Sequence, residues 1–156
     1  MTTPFHIHGH RRMLREVALA ADAFYKKAEE LGQQAFASLG REKRSQITGL
    51  ESLANSTQKT SDVFNYIKTR TARQKEWRKK DFGKDLLLYL ETTLATERNN
   101  IVANLKAQKI ELDAHQQKEV YLLLIRAFVA QLAAQYEFAA IANGEGETSK
   151  TKGAHQ

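Results

Sequence analysis

The chain has 156 residues, enough for one domain with its own core, and its 42% hydrophobic and 27% charged residues are those of a water-soluble globular protein. It contains no cysteine, which excludes disulfides, thiolate metal sites and thiol nucleophiles and fits a reducing cytoplasm, the expected location. The net charge of +6 is uneven: residues 41–80 hold eleven of the 24 Lys and Arg against four of the 18 Asp and Glu, while the remainder is close to neutral.

Such a local excess is either the footprint of a polyanion binder or a set of solvated helix faces. The single proline, Pro4, leaves every later residue free to enter a helix. Arg11 and Arg12 have no adjoining apolar run of signal-peptide length, so secretion is not expected. No uninterrupted apolar run, Leu122 to Ile125 among them, is long enough to span a bilayer, and no membrane partner is expected.

Residues 1–11 lack a helical period and read as a flexible arm. His6, His8 and His10 alternate there, but no carboxylate or fixed scaffold accompanies them, so a mobile arm is preferred to a metal site. From Arg12 to Leu39 the apolar positions Leu14, Val17, Ala21, Phe24, Ala28, Leu31, Ala35 and Leu39 follow the spacing of an amphipathic helix. Gly40 stands where a left-handed cap is wanted, and Gly32 weakens the interior by roughly 1 kcal/mol relative to alanine, so a bend or break is expected there.

A second helix is expected from Ser45, as N-cap, to Ser56, with Ile47, Leu50, Leu53 and Ala54 inward. A third opens at Ser61 or Asp62 and continues to Lys80, anchored by Val63, Phe64, Ile67 and Thr71. On one continuous helix, Tyr66, Arg70, Arg73 and Trp77 share an arc beside that stripe, and Lys68, Lys75 and Lys79 lie on the opposite flank.

Asp81-Phe82-Gly83 marks a junction. A fourth helix, Lys84 to Leu105, turns Leu86, Leu87, Leu90, Leu94, Ile101 and Leu105 inward. Asp113 and Gln116 form a capping box for a last helix ending at Asn143-Gly144, apolar on so many sides that it belongs at the centre of a bundle or carries a self-association strip. Residues 143–156 contain no large apolar residue and read as a disordered tail. With no strand signal, the fold class is all-α: a single-domain bundle of about five helices over 12–142, with flexible termini.

No phosphate loop, His-Glu-x-x-His or nucleophile elbow occurs, so neither an enzyme nor a cofactor is expected. The basic third helix carries the chemistry that remains. Lys and Arg neutralise phosphates, and aromatic rings stack on unpaired bases. The candidate nucleic-acid-binding residues are Tyr66, Lys68, Arg70, Arg73, Lys75, Trp77, Arg78 and Lys79, extended by Arg41, Lys43 and Arg44. Trp77 equally suits a core anchor turned inward, and Tyr66 a residue of the bundle's rim.

Three segments carry a resemblance. Ser45-Gln46-Ile47 with Leu50 and Leu53, the stretch Val63-Phe64-Asn65-Tyr66-Ile67-Lys68-Thr69-Arg70, and the Ile125–Phe138 stretch with its Ala133-Ala134-Gln135-Tyr136 pattern resemble the small helical subunit of type III-A CRISPR effector complexes. The likeness covers about residues 44–140. It departs at Thr48, where family members often carry a basic residue, and in the length of the first helix. The type III-B small subunit is similar too. The resemblance implies a non-catalytic, RNA-binding subunit whose partners are guide RNA and target RNA, other subunits of the complex and copies of itself. The alternative from another class is a helical adaptor or homodimerising scaffold with no nucleic-acid function.

Overall fold

The fold is that of a computed structural model, which describes residues 7–154 and their side chains as far as Asn143. The described residues form an all-α bundle with no strand. Its elements are α1 (Ile7–Leu39), α2 (Arg44–Ser56), α3 (Thr60–Arg73), the single turn α4 (Lys75–Arg78), a 3₁₀ turn (Lys79–Asp81), α5 (Phe82–Leu88), a π turn (Tyr89–Thr93), α6 (Leu94–Ala107) and α7 (Ala114–Ala154). Helix α5, the π turn and α6 are continuous, so five rods make the bundle.

The centre is the pair α1 and α7. Phe24 meets Phe128 at 5.4 Å, Phe36 meets Tyr136 at 5.9 Å, and Arg41 reaches the carbonyl of Ala140. Because these pairs advance together along both chains, the two helices are parallel, and the chain between them must travel back. Helix α2 makes the return, antiparallel to α7: Arg44 pairs with Glu137 at one end and Arg126 donates to Ala54 O and Thr57 O at the other. Those two bonds, at 2.8 and 3.0 Å, place a cation on carbonyls that the end of α2 leaves unpaired, where the helix dipole favours it. One core runs through the bundle, with Met13, Leu31, Ile47, Leu50, Ile67, Phe82, Leu86, Leu124, Phe128 and Leu132 all buried.

Several expectations change. Helix α1 begins at Ile7, so residues 7–11 are not an arm: His8 and His10 sit on its first turns, and Gly9 and Met13 are buried. His6 and the rest of the expected arm lie outside the described residues. Gly32 does not break α1, which runs unbroken from Ile7 to Leu39. A Cβ there would lie 2.6 Å from Gln135 Cβ and 2.7 Å from Leu132 O, so the missing side chain is what lets α1 and α7 touch. Gly40 is the expected left-handed terminator, at φ 65°, with its N–H donating to Phe36 O. Ser45 is inside α2 rather than its cap; Lys43 precedes the helix and makes no side-chain cap bond.

Leu86, Leu90 and Leu94 are fully buried on one face at a spacing of four, which overshoots a 3.6-residue turn; the wider π turn between them takes up the excess. Tyr121 Oη donates to Leu90 O at 2.6 Å inside that turn. The Asp113–Gln116 capping box forms reciprocally, at 2.7 and 2.9 Å. By length and composition α7 is apolar enough over Ala114–Asn143 to cross a membrane. In this fold that stretch is the core helix, with Leu124, Phe128, Leu132 and Tyr136 fully buried. The tail expected from residue 143 onward is described only as helical backbone to Ala154.

Candidate nucleic-acid interface

The basic segment begins on a fixed end. Thr57 Oγ1 accepts from the N–H of Lys59 at 3.0 Å and donates to Asp62 Oδ2 at 2.6 Å, which sets the first turn of α3. Val63 and Ile67 then anchor the helix in the core. The third helix does not continue to Lys80 as its sequence pattern predicts. It stops at Gln74, which is extended (φ −124°, ψ 119°), and its N–H closes α3 on Arg70 O.

The break has a physical cause. An unbroken helix would hold Trp77 on the outward arc with Tyr66 and Arg70, whereas the interruption turns the indole inward. Trp77 is 0% exposed, packs 5.2 Å from Phe82, and donates its Nε1–H to Gln46 Oε1 at 2.6 Å. Trp77 is therefore a core residue, not a surface on which a base stacks. Burying a large aromatic with its one donor satisfied gains more than the two or three helical bonds lost at the break.

The break frees carbonyls at the end of α3, and Arg78 occupies them, its Nη1 donating to Thr71 O and Ala72 O, both at 3.0 Å. Past Arg78 the chain takes two successive left-handed residues, Lys80 (φ 54°) and Asp81 (φ 57°), a conformation that costs roughly 1–2 kcal/mol each for residues with a Cβ. Helix α1 holds this turn in place. Ser38 Oγ donates to Lys79 O at 2.8 Å, and Gln34 Nε2 donates to Lys80 O at 2.7 Å and Asp85 Oδ2 at 2.9 Å. Gly83 completes the corner: a Cβ there would fall 2.0 Å from Thr71 Oγ1.

Beside Trp77 and Arg78, the other nine candidate residues divide into three groups. Arg41, Lys43 and Arg44 gather just past the end of α1, beside the Glu137–Ala140 stretch of α7. Arg41 donates to Ala140 O, Arg44 binds Glu137 through Nε and Nη2 at 2.8 Å each, and Tyr136 Oη donates to Gly40 O. Burial, more than the Glu137 carboxylate, raises the Tyr136 pKa above its ordinary value, and the Arg44 charge partly offsets both. Arg41 and Arg44 thus fasten the bundle's end.

On α3, Tyr66 is half-buried, donates to Gln46 O at 2.7 Å, and carries the Arg70 guanidinium 4.9 Å above its ring, so that face is covered. Lys68 lies 3.7 Å from Glu91. The third group is Arg73, Lys75 and Lys79, exposed and without an ion pair among the described residues. Lys75, Glu76, Arg78 and Lys79 line an open cleft of about 570 Å³ against Ser38.

Gln46, Ser38, Gln34 and Arg126 are the residues sequence reasoning missed. Ser38 alone left a trace, as a polar position within the apolar stripe of α1. Among the described residues no group of three or more His, Asp or Glu comes together in a way that could hold a metal ion. No protein-family model, no curated protein and no solved structure matches this chain.

Proposed function

We propose that the chain binds RNA through its phosphate backbone without reading sequence, as a non-catalytic small subunit of a type III-A CRISPR ribonucleoprotein. In that assembly, copies of the chain line the groove that holds guide RNA paired with target RNA, and base pairing supplies specificity. The observation that carries the reading is the cationic segment 66–80, of which Arg73, Lys75 and Lys79 stay exposed and unpaired among the described residues. With Trp77 buried and the Tyr66 ring covered by Arg70, the grip rests on cations alone, and cations grip backbone. The test is purification of the tagged full chain from the cells that make it. The expected result is a co-purifying small RNA protected from ribonuclease; nucleic-acid-free protein at low salt would overturn the reading.

A second reading has its own observation. Phe138, 66% exposed, lines a groove between α1 and α7 with Phe36, Ala37, Ala139 and Ala142, and Ile141, 62% exposed, follows three residues along α7. An exposed apolar patch of this kind supports a self-associating scaffold. Under that reading light scattering returns a dimer that Phe138→Glu dissociates, and RNA does not bind.

A further inference from the structure

The geometry points to the cleft between the C-terminal end of α1 and the α4 turn as the seat of one phosphodiester group of a bound strand. This assignment rests on the RNA-backbone reading and narrows it to a place. Three cations line the cleft, Lys75, Arg78 and Lys79, with Ser38 on the α1 side and Glu76 as its one carboxylate.

Its donors are of two kinds. Lys75 and Lys79 contribute compact, mobile ammonium charges that meet phosphate oxygens from either side. Arg78 is fixed: its Nη1 is committed to Thr71 O and Ala72 O, while Nε and Nη2 have no partner among the described residues. A guanidinium held at one end and open at the other presents phosphate oxygens with pre-oriented donors.

The floor is set before any ligand arrives. The carbonyls of Lys79 and Lys80 are both bonded to α1, through Ser38 and Gln34, so these two acceptors are turned to the protein and not toward an incoming anion. The Arg78 charge likewise offsets the negative end of α3. Little backbone freedom is left to lose on binding. At about 570 Å³ and open to solvent, the cleft admits a phosphodiester with parts of its two sugars, but no base-stacking surface lines it. Glu76 makes no ion pair with the lining cations among the described residues, and its charge opposes an anion in the cleft.

The test uses the full chain and a labelled single-stranded oligoribonucleotide of mixed sequence, followed by fluorescence anisotropy across a salt series. Lys75→Ala with Lys79→Ala strips the seat of its two mobile cations and releases the one phosphate it neutralises, worth about 0.7 in the salt slope, so affinity at about 0.1 M salt falls about 5-fold and the slope flattens by about 0.7. Both side chains are exposed and unpaired among the described residues, and the variant's thermal melt should match the parent's. Glu76→Gln should tighten binding several-fold, which a merely structural Glu76 would not do. The control, Lys26→Ala with Lys118→Ala, removes two exposed cations elsewhere.

RNA bound by the parent with equal losses in the cleft and control variants would overturn the seat and leave the RNA reading standing. No RNA binding by the parent at low salt would overturn both. Inorganic phosphate should displace the strand no better than chloride at equal ionic strength. Stronger displacement would assign the cleft to free phosphate and overturn the strand assignment.

Discussion

Replacing Gly32 with alanine sets local propensity against tertiary packing, and the two predict opposite signs. In an isolated helix the substitution stabilises by roughly 1 kcal/mol, because glycine is the costlier interior residue. In the bundle the new methyl would sit 2.6 Å from Gln135 Cβ and 2.7 Å from Leu132 O. Carbon atoms rest at about 3.5–4.0 Å, so α1 and α7 would have to part by about 1 Å along their central contact. The Leu132 carbonyl belongs to the helix backbone and cannot rotate away, and Phe24, Phe36, Phe128 and Tyr136 would lose contact on either side. Overpacking costs typically about 1–3 kcal/mol, and against a backbone atom that cannot move aside it falls in the upper part of that range, about 2–3 kcal/mol. After the propensity gain, a net loss of about 1–2 kcal/mol is expected. For a chain of this size that is a fall of roughly 2–8 °C in Tm, read by circular dichroism at 222 nm with urea unfolding as a cross-check. A variant as stable as the parent, or more stable, would show that α1 and α7 do not meet at Gly32.

Trp77 is the only tryptophan, so its fluorescence reports the interior directly. Emission should be blue-shifted, resist iodide and stay unchanged when RNA binds; iodide quenching or an RNA-dependent change would return Trp77 to the surface. Arg126→Met keeps the stem but strands Ala54 O and Thr57 O, and the loss of two charge-assisted bonds should cost about 2–3 kcal/mol in urea unfolding. A cost under about 0.5 kcal/mol would mean that Arg126 does not cap α2. Tyr89, Tyr121 and Tyr136 have pKa values raised chiefly by burial. The folded state therefore holds their protons more tightly than the unfolded chain. Stability should be complete below about pH 10 and fall as pH rises through the folded values. Three of the five tyrosines should ionise late in an absorbance titration at alkaline pH, and simultaneous ionisation of all five at the ordinary value would contradict their burial.

The helical elements were legible because each signals itself within a few residues. The α1 stripe, the Gly40 stop, the leucines of α5 and α6 and the Asp113–Gln116 box all rest on local spacing or capping. Tertiary contacts decided what spacing could not reveal. A helical wheel drawn from Tyr66 to Trp77 assumes an unbroken helix, yet the core's demand for an indole at position 77 breaks α3 at Gln74. That one interruption dissolves the expected arginine–aromatic edge: Tyr66 and Arg70 pair with each other, Trp77 enters the core, and Arg78 becomes a cap. Gly32 misled for a related reason, since its intrinsic penalty is visible in sequence and the α7 backbone against it is not. Arg41 and Arg44 read as more cationic surface, but their partners Ala140 and Glu137 lie almost a hundred residues away. What survives of the site is its electrostatic part, concentrated where Lys75 and Lys79 meet the end of α1.

The central claim is that this chain holds a nucleic-acid backbone by charge alone. The most direct measurement is the salt dependence of binding for two unrelated single-stranded RNA sequences of equal length. With one phosphate held by Lys75, Arg78 and Lys79 in the cleft and a second by Arg73, log K should fall linearly with log salt at a slope of about −1.4, and the two sequences should give the same line. A flat dependence, or binding confined to one sequence, would contradict it.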